Sequence, residues 1–244
     1  MKLRNNSILL TGGSSGIGLA LMERLYALDN RLLVVARDAQ KLAALQSQYP
    51  GIDTFACDLA VAEEVDALRA YVEQRHPTLN ILFNNAAVQY NYDFSSEKDI
   101  LNKIDYEVQV NLVASLKLCA LLLPLLLRNG QAAIVNISSG LAIAPKRSAP
   151  VYCATKAALH SFSKALRYQL EGSPLRVVEV LPPIVATPMT EGRGKGKISP
   201  EQLVEEFIRA FEGGKEEIYI GKSKLLYWVH RLAPSLAYRI LKNN

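Results

Sequence analysis

The chain is poor in the residue types that staple a small fold or bind a metal. It has three cysteines, Cys57, Cys119 and Cys153, an odd number at spacings that suit neither a disulfide framework nor a metal site. Its three histidines, His76, His160 and His230, are scattered and read as surface or helix residues, not ligands. This usage points to a reducing, cytoplasmic setting. Low-complexity tracts and solenoid-length repeats are missing. No base-reading motif and no basic stripe interleaved with aromatics occurs, so nucleic acid is not an expected partner. The net charge of +5 is dispersed and suits an anionic ligand instead. The most apolar run, LKLCALLLPLLL at 116–127, contains Lys117 and Pro124 and falls short of a membrane span of about 20 residues. It reads as a buried helix. The apolar stretch in MKLRNNSILLTGG is too short for a signal peptide.

What the chain does have is apolar bulk, 50% of its 244 residues, enough for a substantial core. Strand candidates are SILLTG (7–12), LLVVAR (32–37), DTFACDL (53–59), NILFNNA (80–86), AAIVNISS (132–139), RVVEVLP (176–182) and EIYIG (217–221). Most are near-continuous apolar runs, as strands covered on both faces are. Helix-length segments lie between them at 16–29, 39–49, 62–76, 98–128, 152–171 and 200–212. Such alternation predicts an α/β chain: a three-layer, doubly wound Rossmann fold with a seven-stranded parallel sheet. No linker divides it, so residues 1–244 read as a single domain.

The first strand runs into TGGSSGIG, residues 11–18, and then a helix. Glycines at such a turn let the backbone approach a pyrophosphate, which the helix N-terminus favours. Gly12, Gly16 and Gly18 fill those roles, with Ser14, Ser15 and Ile17 between them. The second strand ends in Ala36-Arg37, where an NAD site usually places an acid. Arg37 suits a 2′-phosphate and favours NADP(H) over NAD(H). Asp38, one position on, is the counter-argument.

Residues 152–156 read YCATK. On a helix this spacing sets Tyr152 and Lys156 on one face, where an ammonium lowers a phenol pKa. Alone the pair is common by chance. Together with the other motifs, residues 5–190 resemble the short-chain dehydrogenase/reductase family. TGGSSGIG is similar to the family's TGxxxGxG loop, and Asp58-Leu59 to its adenine-bordering Asp-Leu pair. NNAA, with Asn85 and Ala86, is similar to its NNAG, which lines the cofactor cleft. Asn111 in VQVNL matches the helix asparagine that holds a relay water. Ser139 stands 13 positions ahead of Tyr152, as the family's serine does. The resemblance implies Asn111, Ser139, Tyr152 and Lys156 as the catalytic set, with Tyr152 as general acid and base. Lys156 would also bind the nicotinamide ribose. Val185 and Thr187 match positions near the carboxamide and phosphate. The implied activity is hydride transfer between NADP(H) and a carbonyl or alcohol, by a homodimer or homotetramer paired through helices 98–128 and 152–171.

Departures keep a second class in view, a nucleotide-binding sensor with little turnover. Pro183 stands where the family has glycine, removing an N–H near the carboxamide. Residues 186–199, ATPMTEGRGKGKIS, read equally as a mobile loop over the site or as plain surface. In AIAPKRSAPV (142–151), Lys146 and Arg147 admit an anionic substrate, but solvated loop charges are favoured. The tail 222–244 steps Leu225, Val229, Leu232, Leu236 and Ile240 at helical spacing, with a break at Pro234. It resembles the DltE-type branch of reductases. It should pack on the body or a partner subunit; contact with a membrane surface is the less favoured reading.

Overall fold

The computed structural model describes residues 1–242. In chain order the elements are β1 (Ser7–Thr11), α1 (Gly16–Tyr26), β2 (Arg31–Ala36), α2 (Ala39–Gln48), β3 (Asp53–Ala56), α3 (Ala62–Arg75) and β4 (Ile81–Asn84). There follow α4 (Ile100–Val108), a π turn (Gln109–Val113), α5 (Ala114–Arg128), β5 (Ala132–Ile137) and α6 (Pro150–Gln169). The chain ends with β6 (Leu175–Leu181), α7 (Pro200–Glu212), β7 (Glu217–Tyr219), α8 (Lys222–Leu232) and α9 (Pro234–Leu241). The seven strands pair in parallel in the order β3-β2-β1-β4-β5-β6-β7. Every strand expected from the apolar runs is present, each within two or three residues of its expected ends.

Side chains alternate across the pleat and feed two cores. Ile8, Leu10, Val34, Phe83 and Val135 face α1, α2 and α7, where Phe207 meets Phe83 edge-on at 5.8 Å. Leu9, Leu33, Val35, Leu82 and Ile134 face α3, α5 and α6. Burial on both faces is why the strands read as continuous apolar runs.

The reversal of strand order between β1 and β4 opens a crevice at their C-terminal ends. The apolar run at 116–127 lies in a continuous helix, Ile100–Arg128, that is long and apolar enough to cross a membrane by composition alone. Half of its most apolar window is buried, with Leu118, Leu122, Leu125 and Leu126 packed in the second core. Asn129 and Gly130 (φ 70°) end it, and Asn129 Nδ2 donates back to the Leu125 carbonyl at 3.1 Å. Pro234 separates α8 from α9, as its missing N–H requires. Both pack on the body. Gly140 passes so close to α8 that a methyl group there would lie 3.0 Å from Ser223 Oγ, and the Arg147 N–H donates to the Lys242 carbonyl at 3.0 Å.

Candidate active site

A glycine turn forms the floor of the crevice. Gly12 has φ 67°, and a Cβ there would come within 2.8 Å of the Ala86 Cα. A Cβ on Gly18 would come within 2.0 Å of the Gly12 carbonyl oxygen. The turn is pinned to the end of β4. Asn85 Nδ2 donates to the Thr11 and Gly12 carbonyls at 2.9 and 3.2 Å. Thr11 Oγ1 accepts the N–H groups of Asn85 and Ala86 at 3.0 and 3.1 Å. Ser15 begins α1 without capping it, and the first turn of α1 carries no acid. Its leading N–H groups are therefore left for an anion. This cradle fits the pyrophosphate of a dinucleotide.

At the end of β2, Arg37 donates to the Tyr106 hydroxyl and lies over its ring, 5.7 Å from the centroid. Tyr106 in turn donates to Asp58 at 3.0 Å. Burial, then the Asp58 bond, holds the Tyr106 hydroxyl above its usual pKa. Asp38 lines the same crevice but has a second task. Its carboxylate caps α2, accepting the N–H groups of Gln40 and Lys41 at 3.1 Å. Arg37 lines this end together with Asp38 and Lys41.

On the far side, Ser139, Tyr152 and Lys156 converge. Tyr152 and Lys156 sit one turn apart on α6, with Lys156 Nζ 5.7 Å from the tyrosine ring centroid. Lys156 Nζ donates to the Ile137 carbonyl at 2.8 Å, and Ser139 Oγ accepts the Leu141 N–H at 3.1 Å. The protein alone does not give the acidified phenol expected from the spacing. Burial pushes the Tyr152 hydroxyl up, and the Ser139 hydrogen bond only partly offsets it. Burial also pulls the Lys156 amine down to about 8. Both groups are almost fully desolvated, which disfavours both charged forms at once.

One cavity of about 940 Å³ collects nearly all the expected residues. Its walls include Gly12, Ser14, Ser15, Gly16, Ile17 and Gly18, then Arg37, Asp58, Leu59, Asn85 and Ala86. Ser139, Tyr152, Lys156, Val185 and Thr187 complete them. Thr187 lies against the glycine turn, where a Cβ on Gly16 would meet its Cγ2 at 3.1 Å. Asn111 is the exception. It is fully buried behind the wall, and its side chain is committed to Val88, donating to the carbonyl and accepting the N–H at 2.8 Å each. It sits in the π turn at Gln109–Val113. Pro183 lines the cavity in the expected glycine position.

Sequence reasoning missed several wall residues. Tyr106 carried no signal, nor did Glu107, buried next to it behind the wall, because contact with Asp58 and Tyr90 joins segments far apart in sequence. The 186–199 segment does form wall through Met189, Arg193 and Lys195, and is tethered by Val185 pairing with Ile198. Lys146 faces the cavity while Arg147 is exposed outside it. Leu226, Val229 and Leu241 of the tail line the cavity too, a role not read from their helical spacing.

Comparison with known proteins agrees with this architecture. The sequence profile of the family described as short chain dehydrogenase matches residues 6–197. The oxidoreductase DltE of Bacillus subtilis (strain 168) is 41% identical over 224 residues, 89% of each chain. A short chain dehydrogenase from Burkholderia cenocepacia J2315, solved with NADP, superposes with a TM-score of 0.89 over 100% of both chains at 24% identity. One from Sphingobium yanoikuyae, solved with NADPH, superposes at 0.83 and 25% identity over 96% of this chain and 95% of its own. The chain belongs to the short chain dehydrogenase family of oxidoreductases.

Proposed function

We propose that the protein is an NADP(H)-dependent oxidoreductase that interconverts a small carbonyl compound and its alcohol, with Tyr152 as general acid and base. The observation that carries this reading is the opening of Ser139, Tyr152 and Lys156 onto the same cavity as the glycine turn and Arg37. A bound nicotinamide dinucleotide supplies the hydride, or accepts it in the reverse direction. Ser139 donates a hydrogen bond to the substrate oxygen. Tyr152 gives that oxygen a proton, or takes it from the alcohol. Lys156 holds the nicotinamide ribose and stabilises the phenolate when charged. The Asn111 backbone carries the relay to solvent.

Arg37 beside the ribose end, with Asp38 spent on a helix cap, supports NADP(H) over NAD(H). The Sphingobium relative solved with NADPH points the same way. Three free, buried cysteines suit a reducing cytoplasm. The chain acts as one unit and pairs through α4–α5 and α6 into a dimer or tetramer; a monomer in sedimentation equilibrium would contradict that.

The test is NADPH oxidation against a panel of aldehydes, diketones and quinones, repeated with Tyr152→Phe. Turnover on some member, lost in the variant while NADPH still binds, is the expected result. NADPH binding without turnover on any member would make the protein a nucleotide sensor instead.

A further inference from the structure

The cavity carries more positive charge than a dinucleotide's anchors require. Arg37 serves the ribose end, and the glycine turn with the α1 N-terminus serves the pyrophosphate. Further cations also line the cavity: Lys41, Lys195 and Lys222, and the pair Lys146 and Arg193. Lys146 is fixed there through its backbone, whose N–H meets Cys153 Sγ at 3.5 Å, one residue from Tyr152. Arg193 sits in the 186–199 segment, where its N–H donates to the Thr190 carbonyl at 3.1 Å. Both are half-buried. Among the described residues neither side chain has a carboxylate partner, although the protein forms ion pairs elsewhere. They also oppose each other: burial first, then the charge of Arg193, holds the Lys146 amine below its usual pKa. Two unpaired like charges in a half-desolvated wall are costly until an anion joins them.

The tail supplies an apolar part of the same lining. Leu226, Val229 and Leu241 of α8 and α9 line the cavity together with Leu225 and Ile240, which are 66% and 53% exposed. Unpaired cations and an aliphatic surface lining one cavity describe an amphiphile.

Building on the oxidoreductase reading above, we propose that the substrate is an amphiphilic carbonyl compound. Its anionic group, a carboxylate or phosphate, is held between Lys146 and Arg193. Its hydrocarbon chain lies along α8 and α9. The two cations place the carbonyl toward Tyr152, and the chain leaves the cavity by its open mouth.

The experiment titrates the full-length protein calorimetrically, without NADPH, with 3-oxodecanoate, its methyl ester and 3-oxobutanoate. The acid should bind about tenfold or more tighter than the ester, as a charge-assisted contact gives. The short acid should bind at least tenfold more weakly than the long one. In Lys146→Gln and Arg193→Gln the acid-to-ester ratio should fall toward one. Competition by octanoate, or instead by inorganic phosphate, identifies which anion the pair prefers. Equal binding of acid and ester, or a preference that survives both substitutions, overturns the proposal. So does a loss of NADPH affinity in the variants as large as the loss for the acid, since the pair then serves the cofactor. Binding that follows the expected pattern while no carbonyl compound is reduced would leave the amphiphile site standing and remove the redox reading.

Discussion

Lys156 Nζ lies 5.7 Å from the Tyr152 ring centroid and points its proton at the Ile137 carbonyl, 2.8 Å away. The amine is buried and its pKa is pulled down to about 8. A base whose folded pKa is depressed contributes stability that is present above its unfolded pKa and lost as pH falls through the folded value. At neutral pH this lysine therefore weakens the fold. Lys156→Met should melt a few degrees higher than the native protein at pH 7, with the gap closing above about pH 10, while turnover is lost. Thermal melts at the two pH values check it; a lower melting temperature at pH 7 would contradict the argument.

Arg37→Ala should raise the KM for NADPH about 10- to 100-fold and leave that for NADH nearly unchanged, since only a 2′-phosphate gains a charge-assisted bond there. Steady-state kinetics with both cofactors decide it. Equal losses would assign Arg37 to packing on Tyr106 instead.

Glu107 is fully buried, with one carboxylate oxygen accepting the Tyr90 N–H at 3.3 Å and the other unpartnered. Burial lifts its pKa to about 7. An acid whose folded pKa is raised contributes stability that is complete below its unfolded pKa and lost as pH rises through the folded value. Glu107→Gln should therefore match the native protein near pH 4.5 and be the more stable of the two at pH 8. Denaturant titrations at both pH values measure this, and a variant that is weaker at pH 8 would refute it.

Gly18→Ala puts a methyl group 2.0 Å from the Gly12 carbonyl oxygen, a backbone atom that no side-chain rotation can move aside. The expected outcome is a cost of about 2 kcal/mol or more in unfolding free energy and a loss of dinucleotide binding. Urea unfolding and fluorescence titration with NADPH report the two effects. A variant with native stability would show that the turn can open.

The parallel sheet and the glycine turn were legible because they are written locally. Doubly buried strands must be apolar along their length, and a tight approach to Ala86 admits only glycine. Tyr152 and Lys156 were legible for the same reason, four residues apart on one helix. Arg37 and Asp38 were ambiguous in sequence, because an acid beside a strand end can serve a ribose or a helix cap. The bonds to Gln40 and Lys41 show the cap, which no local pattern distinguishes from a ribose contact. Tyr106, Glu107 and the split between Lys146 and Arg147 were not legible. Each depends on how segments many residues apart come together, which no local pattern encodes. The spacing in α8 and α9 revealed an apolar face but not what it covers.

The π turn at Gln109–Val113 makes the long helix two rods sharing one axis but not one phase. Deleting a single residue there would restore an unbroken ladder and swing every upstream side chain about 100° around that axis. Tyr106 would leave Asp58, Glu107 would turn toward water, and the ribose end of the crevice would lose its wall, although no residue that meets a ligand had been replaced.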